Sequence, residues 1–502
     1  MSALVRSLAV ALPFAIAACG APAAPPAVAP TPATQTAPAA LPAAPETPDA
    51  AFRYVPPGLW KATTSTLAPV EVRLANGLAG RFAEARSVPV VHATVVVRWS
   101  SAAPVAGTAK MLGELLEEAK LASGRTLREE LADLGTAVRV YTVHDATFFS
   151  VGALHPLIEQ ALDKVLAALR SGKLDQAALD RERKAALPFL EKASARDRFD
   201  RTVGEHLFPA SHLYHDPTAG TVDSLKKLKI EDLTRYRDAA VTPDVVSVAA
   251  VGAMSQPDFS AMLERLAGSW AAPKPGAKSA ARGTTPIPKG PTHGVFLVED
   301  RTTEDTHVTL AFPAPQPGHG DLAAATVAWS VAVGRVLTLL DERLQGQWQR
   351  SNGRTFTRRE TSLLQWLGEV KQGNAAGAVD VALQAIDGVA KGDISDAELA
   401  RARSFRANRA LGDDGFGDTA MVLAAEASML SRPGIFLDDS AAVRVVTRQE
   451  VIHAAQTYLK KELASVVAVG DVVSERAAME KLGLGPVTVP GEKKAQDKGA
   501  KK

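Results

Sequence analysis

The 502-residue sequence predicts an α+β fold of two homologous domains, each an antiparallel-rich sheet with helices on one face. Three observations predict it. Strand-like runs of β-branched residues recur with amphipathic stretches, but without the strict alternation that a parallel sheet needs. Two segments repeat at nearly one offset. "QAALDRERKAAL" from residue 176 aligns with "DAELARARSFRA" from residue 396 (396 − 176 = 220), and "VVSVAAVGA" from 245 aligns with "LASVVAVGD" from 463 (463 − 245 = 218). The first match pairs Ala177 with Ala397, Leu179 with Leu399, Arg181 with Arg401 and Arg183 with Arg403. Between the repeats, residues 271–294 are rich in Pro, Gly, Ser, Thr and Lys and read as a linker. The flanking segments, 58–270 and 295–485, are each of ordinary domain size.

The first half opens with "VEVRLANGLAGRFAEA", two runs around Asn76-Gly77, a strong signal for a tight hairpin. "PVVHATVVVRWSS" supplies a long strand, and helical periodicity follows from about 107 to 134. "AVRVYTVHDATFFSVGAL" returns to strand, "HPLIEQALDKVLAALRSG" is a helix closed by Gly172, a further helix covers about 175–194, and a strand at 245–251 ends the half. The second half repeats the order: strands near "GVFLVED" and "HVTLAFPA", helices near 322–345, 375–391 and 395–410, and a closing strand at 465–469.

The ends read differently. Residues 1–18 carry one early cation, Arg6, and an apolar run from Ser7 to Ala18 that is short for a bilayer span, as in an export signal. Cys19 follows "IAA" and is the single cysteine, which resembles a bacterial lipoprotein signal with Cys19 as the lipid attachment site. The alternative is a plain secretory signal with a chance cysteine. Gly20 resembles the residue after the acylation site in lipoproteins sorted to an outer membrane, so the expected location is the periplasmic side of that membrane. Residues 19–57 are an Ala/Pro-rich tether, able at about 3.1 Å per residue to hold the globular part on the order of 100 Å away. Residues 486–502 read as a disordered basic tail. Lys plus Arg at 57 against Asp plus Glu at 55 leaves +2, a balance that points to no nucleic-acid partner.

Together "LANGLAGRFAE", "VVVRW", "LDRERKAAL", the passage from His212 to Gly252 and "DISDAELARARSF" resemble the insulinase/pitrilysin zinc peptidases, the inverzincins, and among them bacterial processing-peptidase-like proteins. The resemblance runs from the tether to about residue 475. It implies paired α+β domains forming half of a clamshell around an extended peptide. That family's zinc helix reads H-x-x-E-H: two histidines one turn apart and a glutamate base. Here the frame falls on Gly107, Ala109, Lys110, Gly113 and Glu114, so both imidazoles and the base are replaced. The third ligand would fall on Phe189 (189 − 114 = 75), with Glu191 two residues later. The family's R-x-x-x-G-x-x-Y substrate clamp falls on Gln349, Gly353 and Phe356, which lack the cation and the phenol.

These substitutions lead to the expectation of a degenerate peptidase: no catalytic residues, and zinc, the family's cofactor, lost. The expected partner is an active insulinase-like subunit, with extended peptides in the shared chamber and the membrane reached through the lipid. Two alternatives stand beside it. An active peptidase could have a relocated metal on Glu114, Glu117 and Glu118, three glutamates otherwise read as a solvated face; or the chain is a scaffold subunit of a membrane complex. Lys110 and Glu114, one turn apart, are expected to form an ion pair. His206, His212 and His215 read as surface histidines of a loop, and His144 and Asp238 lack a nucleophile to serve. "QRSNGRTFTRRE", with Arg350, Arg354, Arg358 and Arg359, reads as a solvated loop, the alternative being a site for an anionic surface or acidic peptide.

Overall fold

The computed structural model describes residues 69–490, apart from 87, 100–104, 211, 273–290, 317, 358–360, 411–419 and 421–440. Cys19, the signal, the tether, Arg358, Arg359, residues 273–290 of the linker and the tail from 491 lie outside the described residues. The described residues form one compact unit.

The opening hairpin joins β1 (Val70–Arg73) to β2 (Ala79–Glu84). Gly77 sits at φ +96, a left-handed conformation that glycine adopts without strain. Asn76 Oδ1 accepts from Leu78 N at 3.1 Å, and its amide donates to the carbonyls of Ala267 and Trp270, tying the turn to the end of the first half. The rest of that sheet comes from β3 (Val90–Arg98), β4 (Arg139–Thr142), β5 (Ala146–Leu154) and β6 (Val246–Gly252). Their order is β1-β2-β6-β3-β5-β4, with only β2 and β6 parallel.

The second sheet uses β7 (Gly294–Glu299), β8 (Asp305–Pro313), β9 (Trp348–Thr357), β10 (Ser362–Lys371), β11 (Ser465–Gly470) and β12 (Val487–Thr488), in the order β12-β7-β11-β8-β10-β9. Setting aside the added edge strands β1 and β12, both sheets place their strands as first, last, second, fourth, third. In each, the first and last strands are parallel and the other pairings are antiparallel. One supersecondary plan therefore occurs twice, as the sequence repeat predicts.

Helices cover one face of each sheet. On the first, α1 (Thr108–Glu117), α2 (Leu127–Asp133) and α3 (His155–Ser171) share a core with Val91, Val95 and Val97. The periodic stretch 107–134 is two helices rather than one. Gly124, at φ +83, turns the chain, and a capping box on Thr126 starts α2 afresh. Next come α4 (Gln176–Glu191), α5 (Ala195–Leu207), α6 (Val222–Lys227), α7 (Ile230–Ala240) and α8 (Gln256–Ala267).

In the second half, α9 (Leu322–Arg343), α10 (Ala375–Ala390), α11 (Asp396–Ala410) and α12 (Arg448–Tyr458) pack around Val308, Leu310 and Trp366; α13 (Arg476–Lys481) closes the series. By length and hydropathy α9 could cross a membrane, but 61% of its most apolar window is buried, as in a core helix.

Two sequence expectations change. "QRSNGRTFT" is not a loop but β9, a half-exposed edge strand whose pairing with the buried β10 overrides its weak local propensity. The segment 486–502, read as disordered tail, begins with β12, which pairs parallel to β7 over two residues, too few to leave a periodic signal.

The halves are also laced together. α5 belongs to the first half, yet Phe199, Val203 and Leu207 pack on the open face of the second sheet against Ala311, Leu363, Leu367, Val467 and Val469. Arg198 adds an ion pair to Asp300 at 2.9 Å. On the matching face of the first sheet, Ala420 is buried among Ala83, Val96, Phe148 and Val251.

Candidate functional site

Gly107 at φ +87 starts α1, where an added Cβ would lie 3.0 Å from the Cα of Gly220. This close approach brings the first turn of α1 beside residues 219–225 and α4. There Lys110, Glu114, Glu182 and Phe189 line a cavity of about 330 Å³, with apolar walls from Met111, Leu190 and Leu225. The structure thus brings Phe189 beside Lys110 and Glu114, which lie one turn apart on α1. Lys110 Nζ donates to Glu114 Oε1 at 2.6 Å, an i, i+4 pair worth about 0.2–0.5 kcal/mol at a surface. Phe189 follows Pro188 near the end of α4 and is 78% exposed. Glu191 ends the helix, does not line the cavity, and reaches toward Lys226 at 3.9 Å.

Gly113 faces the other way. A Cβ there would stand 3.0 Å from Val140 Cγ1 and 3.1 Å from Thr147 Cγ2, so α1 rests directly on the sheet. The remaining glutamates are half-buried and paired rather than a solvated face: Arg128 reaches Glu117 at 2.9 Å and Glu118 at 2.6 Å, and Arg181 lies 3.5 Å from Glu118. Burial raises the carboxyl pKa of Glu117, and Arg128 only partly offsets it. Among the described residues no group of three His, Cys, Asp or Glu side chains could hold a metal.

Zinc requires three or four deprotonated N, O or S donors on one point. This cavity offers an ammonium bound to a carboxylate, a second carboxylate and a phenyl ring. These residues do not fit the ion.

A second cavity, of about 520 Å³, adjoins the first and shares Phe189, Leu190 and Ala219 with it. Its walls come from α5, the segment 208–220 and the inner face of β9 and β10, including Arg354, Phe356 and Gln365. Tyr214 donates to Asp145 Oδ1 at 2.8 Å and meets the edge of Phe356 at a centroid distance of 5.9 Å. Of the other two clamp positions, Gln349 donates to Asp305 Oδ2 at 2.6 Å, at a β-bulge between Glu369 and Val370. Gly353 lies under α9, where any Cβ would collide with Val333. Sequence reasoning gives neither Glu182, inside the "LDRERKAAL" motif, nor Arg354, read as part of a solvated loop, a place in this site; the packing of α4 and β9 brings them to the groove.

The histidines correct a further expectation. His206, half-buried, is in the last turn of α5, and the loop after it folds inward, leaving His212 4% exposed and His215 half-buried. His212 Nδ1 accepts from Tyr214 N at 3.0 Å, His215 Nδ1 bonds the Phe208 carbonyl at 2.8 Å, and His206 stacks on Phe296. His144 bonds the Asp216 carbonyl at 2.9 Å, and Asp238 pairs with Arg237.

His307 on β8, its ring tilted against Phe199, has its pKa lowered mainly by burial; Arg196 adds to the lowering, while Glu369, Asp305 and Asp200 oppose it. A depressed folded-state pKa means that the unfolded chain binds the proton more readily. Stability is therefore expected to fall as pH drops below the ordinary histidine value of about 6.5. Urea midpoints at pH 7.5 and 5.5 for the chain and for His307→Gln check this: the variant should lose less between the two.

The fold is that of the M16-like peptidases. Residues 227–405 match the "Peptidase M16 inactive domain" family model. The probable mitochondrial-processing peptidase subunit beta of Arabidopsis thaliana is 26% identical over 145 residues, 28% of this chain and 27% of that protein. The uncharacterized zinc protease YmxG of Bacillus subtilis is 26% identical over 200 residues, 39% of this chain and 46% of that protein. The matches thus span less than half of these relatives' length. In structure, the M16 inactive domain from Pseudomonas fluorescens aligns with TM-score 0.70 at 18% identity, covering 81% of this chain and 99% of that one. A chain of Complex III2 from Candida albicans aligns at 0.66 and 12% identity, covering 84% and 100%.

Proposed function

We propose that this chain is a non-catalytic M16-like subunit, exported and held to the periplasmic side of the outer membrane through Cys19, that supplies one half of a peptide chamber to an active zinc peptidase. The observation that carries the reading is the cavity itself. Lys110 neutralises Glu114, Gly113 is pressed against the sheet, and Phe189 fills the third corner, while both folded halves and the groove between them are kept. A retained groove without hydrolytic groups suits a chain that holds peptide for a neighbour.

The test is isolation from the native membrane with a tag on this chain. A second chain with an intact H-x-x-E-H should be retained, peptide cleavage should require both chains, and this chain alone should carry far less than one zinc. A lone monomer sinks the pairing. Chelator-sensitive cleavage by the lone chain, with one zinc each, sinks the non-catalytic reading. Mass spectrometry of the N-terminal peptide checks acylation of Cys19. The second reading, a scaffold subunit of a membrane complex, draws on the likeness to the Complex III2 chain; retention of a large assembly without a peptidase would select it.

A further inference from the structure

We infer that the seat of α5 is an acid-sensitive latch: at neutral pH two uncharged imidazoles, His206 and His307, help hold the halves together, and in mild acid their protonation loosens α5 from the second sheet. The inference does not rest on what the groove holds or on a partner chain.

The two contacts are reciprocal. His206, in the last turn of α5, belongs to the first half and stacks on Phe296 of β7 in the second, with centroids 5.2 Å apart and rings 16° from parallel. His307 belongs to the second half and tilts against Phe199 of α5 at 5.5 Å. One imidazole therefore stands at each end of the apolar stripe of Phe199, Val203 and Leu207. His307 is 5% exposed, and its Nδ1 is buried with no hydrogen-bond partner among the described residues, so a proton added there has nothing to donate to.

The surrounding charges do not favour a cation at either end. Beside His206 the loop after α5 brings His215, and burial together with that imidazole lowers the pKa of His206. Gly204 admits this loop: a Cβ there would lie 3.0 Å from the Tyr214 carbonyl oxygen and 3.1 Å from that of His215. From β7 the seam receives Phe296 and Val298, neither of them charged. The carbonyl end of a helix favours a cation, but the Leu207 carbonyl already accepts from Thr292 N at 2.7 Å. Around His307, Arg196 of α5 reinforces the lowering that burial causes. The three carboxylates that oppose it each have a cation of their own: Asp200 with Arg196 at 3.0 Å, Asp305 with Lys371 at 2.8 Å and Glu369 with Arg350 at 3.9 Å. A base whose folded-state pKa is depressed takes up its proton on opening, so the seated state loses ground as pH falls below about 6.5. At pH 5.5 each histidine can shift the opening equilibrium by up to about ten-fold.

Hydrogen exchange of the full chain at pH 7.5 and 5.5, expressed as protection relative to the free-peptide rate at each pH, tests the latch. Amides of α5 and of residues 212–216 are expected to lose protection at least about five-fold at pH 5.5, while β3 and β5, inside the first sheet, keep theirs. The double variant His206→Phe/His307→Phe keeps a ring in each place and cannot take a proton, so α5 should be equally protected at both pH values. His206→Gln/His307→Gln, with smaller side chains, should remove the pH dependence as well, from a lower starting protection. Equal protection of the unaltered chain at the two pH values, an equal loss in β3 and β5, or an acid loss that both variants retain overturns the inference.

Discussion

Gly113→Glu, which would return the family's base to its place in the helix, is expected to destabilise the chain by about 2–4 kcal/mol. The residue is buried, and a Cβ would meet Val140 at 3.0 Å, Thr147 at 3.1 Å and Thr142 at 3.3 Å. Replacing glycine inside a helix ordinarily gains up to about 1 kcal/mol, so overpacking and a buried carboxylate must outweigh that gain. Urea unfolding of the variant checks it. An unchanged midpoint would mean that α1 can rise off the sheet, and that the lost base lies within reach of one substitution.

Phe199→Ala is expected to cost about 3–5 kcal/mol. Its ring is fully buried between α5 and the second sheet, where it touches His307, and truncation leaves a cavity between the two halves rather than within one. Thermal unfolding measures the loss, and hydrogen exchange locates it: amides of β8 and β11 should lose protection along with α5. By contrast, Phe405→Ala at a 59% exposed position should change stability by no more than about 0.5 kcal/mol. Equal losses in the two variants would show that the interface between halves is not what Phe199 supports.

Much of the architecture was legible because it is local. Asn76-Gly77 specifies a tight turn by itself, the continuous Val and Ala runs of β3 and β6 belong to strands buried on both faces, and the duplication appears as residue matches at a fixed offset. The pairing of Lys110 with Glu114 follows from helical spacing and is found at 2.6 Å. What escaped is non-local. β9 has the polar composition of a loop and becomes a strand only through β10. α5 has an ordinary amphipathic pattern, and nothing in it says that its apolar stripe belongs to the other half's sheet. Likewise His212 carries no sign in its neighbours that Tyr214 will draw it inside.

The seat of α5 has a consequence for how the chain matures. A helix complete by Leu207 rests on strands ending at Pro313, Lys371 and Gly470, so its apolar stripe has no home until the last of them has been made. Contacts spanning more than 250 residues close late and slowly, and the waiting surface is of the kind that chaperones shield. Severing the polypeptide between the sheets would strand that surface permanently, making two insoluble fragments out of one cooperative molecule.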